Sequence, residues 1–282
     1  MPSILCVGIA TLDIINQVER YPAEDSEVRA LAQQQRVGGN AANTAMVLAQ
    51  LGDAVTWVGN LGDHAEANPV REAFARHGVD AGQARVVAGG HMPTSYVTLS
   101  RENGSRSIVH FRDLPEYPAE AFSRLDLRSF DWIHFEGRAV DQLAPMLERA
   151  RGMCGLPVSL EVEKPRQGIE ALFERADLLM FSRHYVTAQG HTDPSRFLDT
   201  LPGGLMATCT WGDDGAWARD FEGTIAHVAA HRPDKVVDTL GAGDVFNAGL
   251  LHAITRGLPM ERALQQANRL AGDQCGREGL EI

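Results

Sequence analysis

The sequence is short of cysteine, of positive charge and of long apolar runs, and each shortage excludes something. Its four cysteines (Cys6, Cys154, Cys209, Cys275) are scattered and never form a CxxC pair. Free thiols in a reducing, cytoplasmic setting are therefore expected. Against 37 Asp and Glu there are only 26 Lys and Arg, a net charge of −11 with pI 5.4. That field repels phosphates, so no nucleic-acid partner and no anionic membrane surface is expected. Any phosphate chemistry must come from local donors or a bound cation. No window approaches 18 uninterrupted apolar residues, so no membrane span is predicted. The opening MPSILCVGIATLD lacks a basic region and reaches an acid at Asp13, unlike a secretory signal. Missing too are GxxxxGK[ST], a GxGxxG after the first apolar run, GxSxG and HExxH, which argues against P-loop, dinucleotide-binding and common hydrolase readings.

What is present fits an ordinary globular chain, with 44% hydrophobic residues and a mean hydropathy of −0.19. At 282 residues it can bury about three quarters of its unfolded surface without disulfide or metal support. Short apolar runs recur at 4–9, 55–58, 132–135, 158–160, 178–181 and 205–209, as in strands covered on both faces. Amphipathic patterns at 41–51, 65–77 and 141–151 lie between some of them. This alternation predicts an α/β fold with a doubly wound, mostly parallel sheet in one domain spanning 1–282.

Two segments depart from that pattern. Residues 13–37 alternate apolar and polar positions, and residues 91–113 contain two β-rich runs around Asn103-Gly104, a hairpin signal. Both read as antiparallel strands of a small sheet projecting from the body, placed to act as a lid or a dimer surface.

The segment richest in chemistry is VVDTLGAGDVFNAG, residues 236–249. An apolar strand end passes through Gly241-Ala242-Gly243 into a helix expected from Asp244 to about Thr255. Glycines let backbone N–H groups approach a ligand, and a new helix adds unpaired donors and the positive end of its dipole. Such an anion hole suits a phosphoryl group in flight. Asp244 beside it either caps the helix or takes a proton from an attacking hydroxyl, and one carboxylate can do both. Nearer the N-terminus, Asp13 follows the first strand and Gly38-Gly39-Asn40-Ala41-Ala42-Asn43 opens the first long helix. Asn40 and Asn43 share a helical face, so with Asp13 they suit a polyol; the Gly-Gly-Asn start alone is equally good turn chemistry. His134 lies in an apolar strand, as a core histidine does, and Cys275 lacks a nearby basic partner, as a packing residue does.

GGNAAN early and DTLGAGDVFNAG late resemble the paired signatures of the ribokinase-like, PfkB family of carbohydrate kinases. ILCVGIATLDII, YPAEDSEVR, RSIV, DWIHFEGR and SLEVEKPR extend the resemblance along the chain and favour the branch acting on ketohexoses such as fructose. The resemblance implies a ribokinase-like fold, ATP with Mg²⁺, a sugar acceptor, and a homodimer in which two lids interlock. It implies Asp244 as catalytic base with Gly241, Ala242 and Gly243 as anion hole. Asp13, Gly39, Asn40 and Asn43 match sugar-binding positions. Asp25 matches an acid reaching the sugar from a lid, its own or the partner's, and Arg106 a lid arginine. Trp211, Gly212 and Gly215 match a loop bordering ATP; Ala271, Gly272 and Cys275 match the flank of an adenine pocket. Where many members carry NxxE, this chain reads Ser182-Arg183-His184-Tyr185, which leaves the metal ligands unassigned, and Ser105 replaces the Asn typical of the ketohexose branch. Glu136, Glu161, Glu163 and Lys164 are either electrostatic supports or strand-end charges in solvent. Another acceptor (another ketose, a sugar acid, a nucleoside) or a non-catalytic binder on the same fold remains an alternative.

Overall fold

The structure, a computed structural model, describes residues 1–103 and 105–282. In chain order the strands and helices begin with β1 (Ser3–Val7), β2 (Thr11–Val18), β3 (Ala32–Gly38), α1 (Asn40–Gln50), β4 (Ala54–Val58), β5 (Asn60–Gly62), α2 (Asn68–His77) and β6 (Arg85–Val87). Next come β7 (Thr94–Ser100), β8 (Arg106–Phe111), α3 (Ala119–Ser123), β9 (Trp132–Glu136), α4 (Val140–Leu147), β10 (Val158–Val162) and β11 (Leu178–Ser182). The chain continues through α5 (Arg183–Ala188), α6 (Pro194–Asp199), β12 (Met206–Thr210), β13 (Ala216–Arg219), β14 (Ile225–Val228), α7 (Ala242–Ile254) and α8 (Met260–Cys275).

Eight strands form the main sheet in the order β14-β13-β12-β11-β10-β9-β1-β4. From β4 to β12 every pairing is parallel. Continuous apolar runs form these strands because both faces are covered. Ile4 and Cys6 of β1 enter one core with residues of α1, α2, α7 and α8, while Leu5 and Val7 enter the other with residues of α3, α4 and α6. β13 and β14 complete the edge as an antiparallel ribbon that the apolar-run pattern did not reveal. Gly215 makes its entry possible: at φ 92° its Cα faces Val228 O, which a Cβ would approach to 2.1 Å.

A second sheet, β3-β2-β7-β8, projects as the sequence pattern predicts. Its outer pairs are antiparallel, but the central pair, β2 with β7, is parallel, correcting the all-antiparallel expectation. The reason is topological. The chain leaves the lid after β3, crosses the body through α1 to β6, and re-enters beside the start of β2, where Leu12 N–H donates to Pro93 O at 2.8 Å. The β7–β8 hairpin forms, with Asn103 Oδ1 accepting Ser105 N–H at 3.0 Å; Gly104 lies outside the described residues. Residues 19–35 and all of β8 are exposed.

Candidate active site

At the carboxyl ends of β10, β11 and β12 a cavity of about 700 Å³ opens between the first turns of α1 and α7, with β3 of the lid along one side. Ligands of open α/β sheets bind at this edge. Each polar group enters the cavity for a local reason. Gly39, at φ 99°, places α1 against the link from β1 to β2; a Cβ there would lie 2.4 Å from Ile9 O. Glu136, at the end of β9, fixes that junction by accepting Ile9 N–H at 3.0 Å and Ala41 N–H at 3.3 Å. The turn so held directs Asn40 and Asn43 into the cavity. Asp13 of β2 faces Arg36 of β3 in register, and Gly38 leaves room for it: a Cβ on Gly38 would meet Asp13 Oδ2 at 2.6 Å.

On the opposite wall Gly241, at φ 79°, precedes α7. The first bond of the helix is Val245 N–H to Gly241 O at 2.9 Å, so Gly243 and Asp244 belong to the turn whose N–H groups have no helical carbonyl behind them. Gly243 has open space on its side-chain face and lines the cavity. The helix starts two residues earlier than the sequence pattern suggests. Gly241 occupies the cap, and Asp244 sits in the first turn without capping it. Its carboxylate accepts a hydrogen bond from Asn43 Nδ2 at 2.7 Å instead.

Asp244 is 7% exposed. Burial raises its pKa well above the carboxylate range; the Asn43 bond opposes this, and the charges of Glu136 and Glu163 add to it. Asp13 is raised in the same sense, chiefly by burial, against hydrogen bonds from Ser95 and Thr11. Glu161 is also buried, accepting Asn40 Nδ2 at 3.0 Å and Asn247 Nδ2 at 3.1 Å on the same oxygen. A basic element closes the rim. Arg36 pairs with Asp238, just ahead of the glycine turn, and with Glu278 at 2.9 Å. Burial works against the Asp238 charge, but Leu240 N–H, Arg36 and Gly279 N–H outweigh it and hold this carboxyl below its ordinary value.

A buried carboxylate beside unpaired helix N–H groups, across from two asparagines and an aspartate, is an arrangement for handling a polyhydroxy substrate and an anion together. The pfkB family carbohydrate kinase model matches residues 1–282. The chain belongs to the PfkB family of carbohydrate kinases. Ketohexokinase of Mus musculus is 36% identical over 99% of this chain and 97% of its own length. An ATP-dependent ribose-1-phosphate kinase of Halopiger xanaduensis is 28% identical over 99% and 94%. The fold is that of the ribokinases: Arabidopsis thaliana ribokinase, solved with ribose and ATP, superposes with a TM-score of 0.76 at 22% identity, covering 99% of this chain and 93% of that one. The chain is thus a sugar kinase, a phosphotransferase with an alcohol as acceptor.

In this PfkB kinase Asp13, Gly39, Asn40, Asn43, Arg106, Gly241, Ala242, Gly243 and Asp244 all line the one cavity. Glu161 and Glu163 line it too, whereas Asp25 and the six candidates for the nucleotide base do not. Asp25 lies in the exposed stretch between β2 and β3, at φ 56°. Trp211 is buried, with the Arg183 guanidinium 5.4 Å from its ring centroid, so its indole is packing and offers no free face. Gly212 and Gly215 shape the turn between β12 and β13. On α8, Gly272 meets His231 O, which a Cβ would approach to 2.1 Å, and Cys275 O accepts Val237 N–H at 2.8 Å. Ala271 packs against the core beneath the same face of α8.

The solvent reading of Glu136 and Glu161 is overturned, since each is 6% exposed. His134 is buried as expected, with Nδ1 2.9 Å from Ser159 Oγ. Sequence reasoning missed Arg36, Asn247 and the segment 276–282, whose Leu280 side chain lies over Gly241. Only Asn247 carried a signal: three residues after Asp244, it shares that face of the helix.

Proposed function

We propose that this chain transfers the γ-phosphoryl group of ATP to a hydroxyl of a ketohexose such as fructose. The observation that supports this reading is the Asn43–Asp244 contact beside the Gly241-Ala242-Gly243 turn, with Asp244 read as proton acceptor and the turn amides as the anion site. Asp13, Asn40 and Asn43 orient the sugar through hydroxyl hydrogen bonds, and Arg106 reaches it from the lid. Asp244 takes the proton of the attacking hydroxyl, its raised basicity matching that task. Because that carboxylate is buried, it meets the hydroxyl with little water to displace. The turn amides receive charge building on the phosphoryl oxygens. Gly212 and Gly215 of the β12–β13 turn, with Ala271, Gly272 and Cys275 of α8, are assigned to the flank of the nucleotide base by the family resemblance alone, and the buried Trp211 supports that turn by packing. Likeness to mouse ketohexokinase supports the acceptor class.

Mg²⁺ is expected from the family resemblance. Among the described residues no group of three or more His, Cys, Asp or Glu is placed to hold a metal ion.

The lid is the proposed dimer surface. Tyr96, Val109 and Phe111 share one face of it and are 49–70% exposed, and a second copy of the same sheet would cover them. Asp25, which is exposed and does not line its own cavity, then reaches the partner's. An ADP-release assay over ketoses, aldoses and nucleosides tests the acceptor: fructose or a near ketose should give the highest kcat/KM. Preference for a nucleoside, or no ADP release with any acceptor, would overturn the reading.

A further inference from the structure

Glu161 is as enclosed as any acid lining the site, at 6% exposure, and among the described residues no cation pairs with it or with its neighbour Asp244. It stands at the end of β10, between the first turns of α1 and α7. Asn40 from α1 and Asn247 from α7 both donate to its Oε1, whereas Oε2 is buried with no hydrogen-bond partner. The charged groups around it are nearly all negative. Asp244 faces it from α7, Glu136 is its register partner on β9, and Glu163 follows on its own strand's exit. The nearby cations serve others: Lys164 pairs with Glu163 at 3.1 Å and Arg138 with Glu136 at 3.7 Å. Its register neighbour on β11 is the neutral Met180.

A carboxylate ion there would bury one oxygen without a donor beside three like charges. A neutral acid needs only an acceptor-rich carbonyl oxygen, which Oε1 supplies to two amides, and buries an unpaired hydroxyl at far lower cost. Two carboxyls sharing a site do not both ionise readily. Asp244 holds the better claim to the charge, with the Asn43 donor and the first turn of α7 behind it.

We propose that Glu161 is a positioning residue that works as a neutral carboxylic acid: its carbonyl oxygen clamps Asn40 of α1 to Asn247 of α7, and its lack of charge leaves Asp244 as the anion of the pair. The clamp joins the sugar-binding turn to the turn bearing Asp244, so the inference rests on the reading of Asp244 as base. Burial, then the Asp244, Glu136 and Glu163 charges, push the Glu161 proton affinity far above normal, in keeping with the geometry. Ionisation of Glu161 at high pH would place a second negative charge beside Asp244 and spread the clamp.

Glu161→Gln preserves the carbonyl acceptor and the neutrality. It should keep kcat/KM for fructose within about threefold of the parent, leave the acid limb of the pH profile unmoved, and remove the decline at high pH. Glu161→Leu loses the acceptor and should lower kcat/KM by more than about tenfold, a loss the Gln variant escapes. An acid limb displaced downward by about one pH unit or more in Glu161→Gln would show that Glu161 carries charge, and would overturn the proposal.

A second readout needs neither activity nor a folded Leu variant. With ¹³C at the glutamate side-chain carboxyls, one resonance should remain protonated at pH 7 in the parent and be missing in Glu161→Gln. If every glutamate is ionised at pH 7, the neutral acid is refuted. A chain inactive on every sugar, yet showing that resonance, would sink the kinase reading and keep the neutral acid.

Discussion

Asn43 Nδ2 lies 2.7 Å from Asp244 Oδ2, joining residues 201 positions apart across the floor of the cavity. The bond brings the early glycine-asparagine turn and the late glycine turn into one site. It also favours the ionised form of Asp244 and so restrains the effect of burial.

Asn43→Ala removes that restraint. The acid limb of the kcat profile should move to higher pH, and kcat at neutral pH should fall by about tenfold or more. A profile that stays in place, measured with saturating fructose and ATP, would mean the bond does not tune Asp244.

The same burial predicts a stability effect with a definite sign. Because the folded pKa of Asp244 is raised, the native state holds this proton more tightly than the unfolded chain. Its contribution to stability is fully present below the unfolded value, near pH 4, and is lost as pH rises toward the folded value. Asp244→Asn, which stays neutral, should therefore be more stable than the parent at pH 7 and should lose that advantage as pH falls toward 4. Urea midpoints at several pH values measure it. An equal gap at every pH would contradict the burial argument.

Gly39 combines φ 99° with contact against the Ile9 carbonyl. Gly39→Ala forces both to change, so the variant should lose more than about 1 kcal/mol of stability in denaturant titration. The sugar KM should rise because Asn40 and Asn43 follow that turn. A variant with unaltered stability and KM would show that the turn tolerates a side chain.

The lid strand is tied to the body through Arg36, which reaches Asp238 and Glu278. Arg36→Ala should raise the sugar KM more than it lowers kcat, because the lid side of the cavity loosens while Asp244 keeps its place. Added salt should weaken the parent in the same direction, since Glu278 is largely exposed. A kcat loss without a KM change would assign Arg36 to the chemical step.

Local signals gave much of this molecule. The apolar runs mark β1, β4, β9, β10, β11 and β12 because strands covered on both faces need apolar side chains on both. The glycines at 39 and 241 were legible because positive φ and close backbone approach leave few other residues possible. Nonlocal facts were not legible. The parallel pairing of β2 with β7 depends on where the chain re-enters the lid. The burial of Glu161 depends on three elements converging on one strand end, and an acid in SLEVEKPR looks the same whether it faces solvent or core. Arg36 meets Asp238 only after folding, from 202 residues away. The edge ribbon of β13 and β14 escaped notice because its strands are four residues each.

Proton abstraction by Asp244 is tested most directly by the kcat of Asp244→Asn with ATP and fructose, alongside calorimetric binding of the sugar. The expected result is a kcat lower by at least about 100-fold with fructose affinity retained. A kcat close to that of the parent would contradict the assignment of Asp244 as base, whatever the sugar.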